Sequence, residues 1–165
     1  MLKTTNCGEL RLADAGKTVR IAGWVHRRRD HGGLIFIDLR DSSGTVQLVI
    51  NPENSQAHAA AHRARIEWVL QVEGVVSPRD PATVNPNMAT GEVEVAPSSV
   101  TVLNEALTPP FYINEPADVD EQLRLKYRYL DLRRPEMAEV IKLRHEVVWY
   151  IRQFLVARGF YEIET

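Results

Sequence analysis

At 165 residues, 44% hydrophobic and 25% charged, the chain can bury a core for one domain and part of a second. Its net charge of -2 excludes a general basic field as the way to hold a nucleic acid, so such binding has to come from local patches. No apolar run reaches the ~18 residues a membrane helix needs, Met1 to Thr5 has no signal-peptide core, and the single Cys7 allows neither an internal disulfide nor a multi-cysteine zinc site. A reducing, cytoplasmic setting fits.

Thr18 to His26 alternates as a first strand, with Val19, Ile21, Gly23 and Val25 on one face and Arg20, Ala22, Trp24 and His26 on the other. Asp30-His31-Gly32-Gly33 reads as a turn, because glycines accept positive φ. Leu34 to Asp41 is the second strand, with Ile35, Ile37 and Leu39 inward and Phe36, Asp38 and Arg40 outward. After the turn Asp41-Ser42-Ser43-Gly44, Thr45 to Ile50 puts Val46, Leu48 and Ile50 inward and Thr45, Gln47 and Val49 outward.

Asn51-Pro52 ends this meander, and alanine-rich Ser55 to Arg65 reads as a helix capped by Asn54 or Ser55. Trp68 to Val76 is a fourth strand, and proline-rich Ser77 to Thr90 is loop. Glu92 to Val95 is a fifth strand, resuming at Val100 to Leu103 after Pro97. The order predicts a mostly β fold: a five-stranded Greek-key barrel of the oligonucleotide-binding (OB) type, with its helix between strands 3 and 4. An unrelated small barrel with the same count fits the strand order equally well.

Beyond Leu103 the texture changes. Thr108-Pro109-Pro110 and Glu115-Pro116 mark a linker, and Asp120 onward is helical and basic until Pro135. Glu136 to Arg158 is a long helix with Val140, Leu143, Val147, Ile151, Phe154 and Leu155 at helical spacing, closed by Gly159. Phe160 to Thr165 starts another strand. The implied division is a barrel over 1–104, a hinge over 105–135 and the start of a further domain over 136–165.

The outward barrel face carries the candidate chemistry. Phe36 occupies a position where solvent normally selects a polar residue, and a flat ring on an open sheet can stack an unpaired base. Gln47 shares that face, and its amide donates and accepts at once. Outward Glu94 accepts only, so it selects amino or imino donors, and Arg27, Arg28 and Arg29 run off the first strand to meet phosphates. Taken singly, each has an ordinary surface reading. Together on one face they point to RNA. His58 and His62, four apart, suit a metal, but no third ligand lies nearby, so a solvated helix face is the better reading. His26 and His145 show no partner, and there is no Walker loop, nucleophile elbow or zinc-protease motif.

Three stretches carry a family resemblance: Gly23-Trp24-Val25-His26-Arg27-Arg28-Arg29-Asp30 with Leu34 to Asp41, Met88 to Val95, and Leu123 to Pro135. They resemble the N-terminal anticodon-binding domain, hinge and catalytic-domain start of bacterial-type aspartyl-tRNA synthetases. The resemblance implies that the barrel binds the anticodon loop of aspartate tRNA. Phe36 would stack on the central uridine with Gln47 on its edge, Arg27 and Arg29 would contact bases or backbone, Glu94 would read another base, and Arg79 would approach the tRNA near the hinge. The helix from Glu136 resembles class II motif 1, which implies a homodimer in a full-length parent that uses ATP and Mg²⁺. The residues for aspartate and ATP lie downstream of Thr165 in the family, so this chain is expected to bind tRNA without aminoacylating, and to expose the apolar face from Val140 to Leu155. A free-standing OB-fold oligonucleotide binder is the competing expectation, and a barrel whose outward face meets protein is a third. The turn carries His31 where strictly aspartate-specific members tend to carry leucine, and Ala82 replaces a lysine. That departure implies a parent that charges both aspartate and asparagine tRNAs.

Overall fold

The computed structural model describes residues 1–114 and 118–164. The chain forms two compact units, Met1–Pro109 and Pro110–Thr165. The first contains β1 (Thr18–His31), β2 (Leu34–Asp41), β3 (Gly44–Ile50), α1 (Ser55–Arg63), β4 (Val69–Pro78) and β5 (Val93–Asn104). The strands close into a barrel in the order β1-β2-β3-β5-β4, and closure leaves no sheet edge around the core. α1 lies between β3 and β4, as the strand order predicts.

The inward residues of β2 and β3 are those the alternation marks: Ile35, Ile37, Leu39, Val46, Leu48 and Ile50 are all buried. With Val19, Ile21, Val25, Leu70, Val72, Val93 and Val95 they make one core. Each large aliphatic buried this way stabilises the fold by about 1.5–3 kcal/mol. α1 begins at Asn54, whose side chain accepts from the Ala57 N–H, and sets Ala57 and Ala61 against the core.

An N-terminal clamp fixes the β2–β3 turn. The buried Asp41 carboxylate accepts from Lys3 Nζ at 2.9 Å, from the Cys7 N–H at 3.0 Å and from the Ser43 N–H at 2.8 Å. Burial opposes its ionisation, but the donors from Ser43, Cys7 and Lys3 outweigh it and hold the carboxyl well below the usual range. Burial pushes the neighbouring Cys7 thiol up to about 12, so it is an inert core group.

Three expectations are corrected. β1 does not end at His26 but runs to His31, so the turn is only Gly32-Gly33, with φ of 59° and 85°. β5 is one strand through Pro97, which pairs with Gly74 at a register shift where the ladder tolerates a missing N–H. The stretch from Asp120 is helical as expected, in two short pieces, α2 (Glu121–Lys126) and α3 (Arg128–Asp131). Phe160 to Glu164 is not a strand, because an extended segment needs a neighbour for its backbone groups. Thr165 and the linker mark Glu115-Pro116 lie outside the described residues.

In the second unit, Phe111, Ile113 and Leu130 form a small core against Val119, Leu123 and Tyr127. Arg124, Arg128 and Arg134 converge on fully buried Asp131, and the Arg124 hydrogen bond holds its carboxyl below the usual range. α4 (Pro135–Val156) ends as predicted: Gly159 takes φ 85°, and the Phe160 N–H reaches back to Leu155 O. α4 buries none of its residues, and Val140, Leu143, Trp149 and Tyr150 are all exposed.

Candidate nucleic-acid interface

β1 serves two neighbours in turn. Thr18 to Trp24 pair with β4, and Trp24 to His31 pair with β2. Between the halves the register slips, because Val25 faces Leu39 while Arg27 faces Asp38, leaving His26 as an extra residue. Side chains alternate with period two, so this bulge inverts the faces of everything after it. Unbroken alternation from Ile21 and Val25 would aim Arg27 and Arg29 into the barrel. The bulge puts them on the outward face with Asp38 and Phe36, and turns Arg28 to the other side.

The arginine triplet is therefore split. Arg29 Nη2 lies 3.1 and 3.2 Å from the two Asp38 carboxylate oxygens. Arg28 instead donates Nε to Ala61 O in α1 at 3.1 Å and pairs with Asp30 at 2.9 Å. Its expected phosphate role is not where its side chain goes.

Register then lines up a row across all five strands. Arg27 faces Asp38, Asp38 faces Gln47, Leu48 pairs with Val95 so that Gln47 neighbours Glu94, and Glu94 faces Ser77. The next row holds Arg29, Phe36 and Val49, and the last holds His31 and Leu34 at the hairpin tip. Phe36 and Gln47 are half-buried, so an aromatic face lies beside an amide and a carboxylate on one open sheet surface.

Arg79 joins this surface from the end of β4. Its Nε donates to Val93 O at 3.0 Å, and its buried Nη2 meets no acceptor among the described residues. Burial lowers its pKa, Glu94 and Asp38 oppose that, and Arg29 adds to it. Burial pushes the Glu94 carboxyl above the usual range, against the pull of Arg79. An orphaned buried guanidinium nitrogen beside a desolvated carboxylate is an arrangement that a ligand with both acceptors and donors would complete. Buried Thr90 ties the β4–β5 loop to this side of the barrel by donating to Thr45 O at 2.6 Å.

The structure thus brings Arg27, Arg29, Phe36, Gln47, Arg79 and Glu94 to one face, with His31 at its hairpin end. It also brings Asp38, which the sequence reading passed over. Its signal was present, since Asp38 falls at the same outward parity as Phe36, two residues on. His26 is not without a partner: its Nδ1 accepts from Arg40 at 2.9 Å, and Arg40 also pairs with buried Glu67. Among the described residues no group of three or more His, Cys, Asp or Glu is placed to hold a metal ion, and no helix is long and apolar enough to cross a membrane.

Comparisons with known proteins agree with the barrel fold. Residues 19–103 match the family model described as OB-fold nucleic acid binding domain, and residues 120–165 match tRNA synthetases class II (D, K and N). The chain is 58% identical over 163 residues to an aspartate–tRNA(Asp/Asn) ligase of Moorella thermoacetica, covering 99% of this chain and 27% of that protein. It is 55% identical over 166 residues to the enzyme of that name from Syntrophomonas wolfei, covering 100% of this chain and 28% of that one. Among solved structures it is similar to asparaginyl-tRNA synthetase from Pyrococcus horikoshii, with TM-score 0.80 and 28% identity over 99% of this chain and 38% of that chain. The chain spans about a quarter of the length of the curated relatives it matches.

Proposed function

Because this chain belongs to the OB-fold nucleic acid binding family and runs on into a class II tRNA synthetase segment, we propose that it is the anticodon-reading part of an aspartate–tRNA ligase. The observation that carries the reading is the in-register row of Arg27, Asp38, Gln47 and Glu94 beside Phe36. Phe36 stacks the central anticodon base, Gln47 meets that base's edge, and Glu94 with Arg79 takes a neighbouring base. Arg27 and Arg29 meet backbone or bases along β1. In this proposal ATP, Mg²⁺, aspartate and the homodimer contact belong to a longer, cytoplasmic protein, with this chain supplying barrel, hinge and the first part of the catalytic domain.

Two features support a parent that accepts both aspartate and asparagine tRNAs, whose anticodons differ at the third position. His31 and Ala82 are both exposed, at the hairpin tip and in the turn Pro81–Thr83. The relatives quoted above carry both tRNAs in their names. The class II segment over 120–165 favours this reading over a free-standing oligonucleotide binder, which has no use for it.

Titration of the chain with GUC, GUU and scrambled anticodon stem-loops tests the proposal. The expected result is tight binding to GUC and GUU loops over scrambled ones. Equal binding to all loops would make it a general oligonucleotide binder, and absence of binding would remove RNA as the partner. Charging of both purified tRNAs by the full-length ligase tests the dual specificity, and a large preference for aspartate tRNA would defeat it.

A further inference from the structure

We propose that His58 and His62 on α1, acting with Arg28, are positioning residues that hold the far end of the β1–β2 hairpin and so place His31 and Arg29 for the RNA. The RNA half of this rests on the anticodon reading above. The hairpin half stands on contacts alone.

Beyond the bulge, Arg27 to His31 are paired in the sheet only to β2. Ile35 to Asp38 of β2 are held on their other side by β3, so only the tip pair, His31 and Leu34, is two-stranded, and a two-stranded tip is marginal by itself. α1 grips the hairpin at two points. At the turn, His58 Nε2 lies 3.0 Å from Gly33 O, and a carbonyl only accepts, so Nε2 carries the proton. Nearer the bulge, Arg28 donates Nε to Ala61 O at 3.1 Å and points Nη2 at His62 Nδ1 at 3.4 Å. A guanidinium only donates, so that imidazole nitrogen accepts. The Ala61 carbonyl sits in the last turn of α1, the negative end of the helix dipole, where a guanidinium is favoured.

The two rings stack with centroids 6.5 Å apart and 12° between planes, one helical turn from each other. β3 already fixes the β2 side of this half, so the Gly33 contact acts on the tip and the Arg28 contact on the β1 edge that β3 does not reach. The pair that reads as a metal site or a solvated face in sequence is instead spent on the hairpin. The bulge at His26 makes this workable, because it sends Arg28 to the helix while its neighbours Arg27 and Arg29 face outward.

The test uses the full chain with His58→Ala and His58→Gln. Alanine is the better helix former, so α1 persists, and glutamine restores an N–H donor. In His58→Ala, amide hydrogen exchange at His31 and Leu34 is expected to rise, while Ile21 and Leu48 keep their protection. GUC stem-loop affinity falls about three- to tenfold, the scale of one neutral hydrogen bond. His58→Gln recovers most of both. In a double-mutant cycle the affinity loss shrinks when His31→Ala is already present, and adds fully to Glu94→Ala. Unchanged exchange and affinity in His58→Ala overturns the proposal. So does a loss of protection spread over the whole barrel, which would make His58 a general stabiliser. If wild type binds no stem-loop while hairpin exchange still follows His58, the brace stands and the anticodon reading falls.

Discussion

The two halves of β1 are continuous backbone with opposite employment. From Thr18 to Trp24 the strand pairs with β4, and Val19, Ile21 and Val25 are sealed in the core. From Arg27 to His31 it pairs with β2 alone and carries charge on nearly every residue. The buried aliphatics of the first half are specified by burial, so they are interchangeable with others of the same volume. The second half buries little, so what its residues touch decides their identity. One extra residue, His26, separates the regimes and sets which way each arginine points. A local irregularity thus converts a structural strand into a candidate binding edge.

That contrast breaks first in the core half. Ile21→Ala should cost about 2–5 kcal/mol of folding stability by chemical denaturation. Stem-loop affinity of the folded fraction should stay within about twofold, as expected for a site with no shared contacts. A large affinity loss at unchanged stability would show that the halves are not separate.

Phe36→Ala, across the ladder from Arg29, should do the reverse. It should weaken stem-loop binding by about 1–3 kcal/mol if the ring stacks a base, and leave the melting temperature nearly unmoved. Equal affinity for mutant and wild type removes Phe36 from the interface.

The different legibility of these halves in the sequence has the same cause. Ile35, Ile37, Leu39, Val46, Leu48 and Ile50 announce their face because burial on one side imposes period two. Phe36 was legible by the same rule, as an exception to it, and Gln47 as a polar residue on the same face. The bulge was not, because a slip in register looks like the end of a strand when no partner is in view. Arg28 was grouped with its neighbours for that reason, and His58 and His62 passed as a solvated helix face because their partners lie about thirty residues back in the chain. Asp38 needed the pairing with Arg27 and Gln47 before its place in the row had meaning. The strand expected after Gly159 failed for lack of a neighbour, which no local pattern reports.

Glu94 sharpens the contrast through pH. Its folded pKa is raised by burial, so ionising it opposes folding. The penalty is absent below the ordinary glutamate range and complete once pH passes the raised value. Glu94→Gln should therefore be neutral or stabilising in the free protein at pH 7, with the gain vanishing as pH falls through about 4.3. The same variant should lose base discrimination in stem-loop titrations. A destabilised Glu94→Gln at pH 7 would mean that the Arg79 attraction outweighs burial.

The smallest effect belongs to Arg29, the outward residue of the second half nearest Phe36. Its ion pair with Asp38 is half-exposed on the arginine side, so the pair adds about 0–1 kcal/mol to folding. Arg29→Ala should scarcely shift the melting curve. If Arg29 meets a phosphate, the plot of log affinity against log salt should flatten by about 0.7, the share of one counterion on a single strand. Loss should then be similar for GUC, GUU and scrambled loops, because a phosphate carries no sequence. An unchanged slope with lost discrimination would move Arg29 to a base edge, which the two bonds from its Nη2 to Asp38 would have to release. Either result places the boundary between positioning and reading within the five residues that follow the bulge.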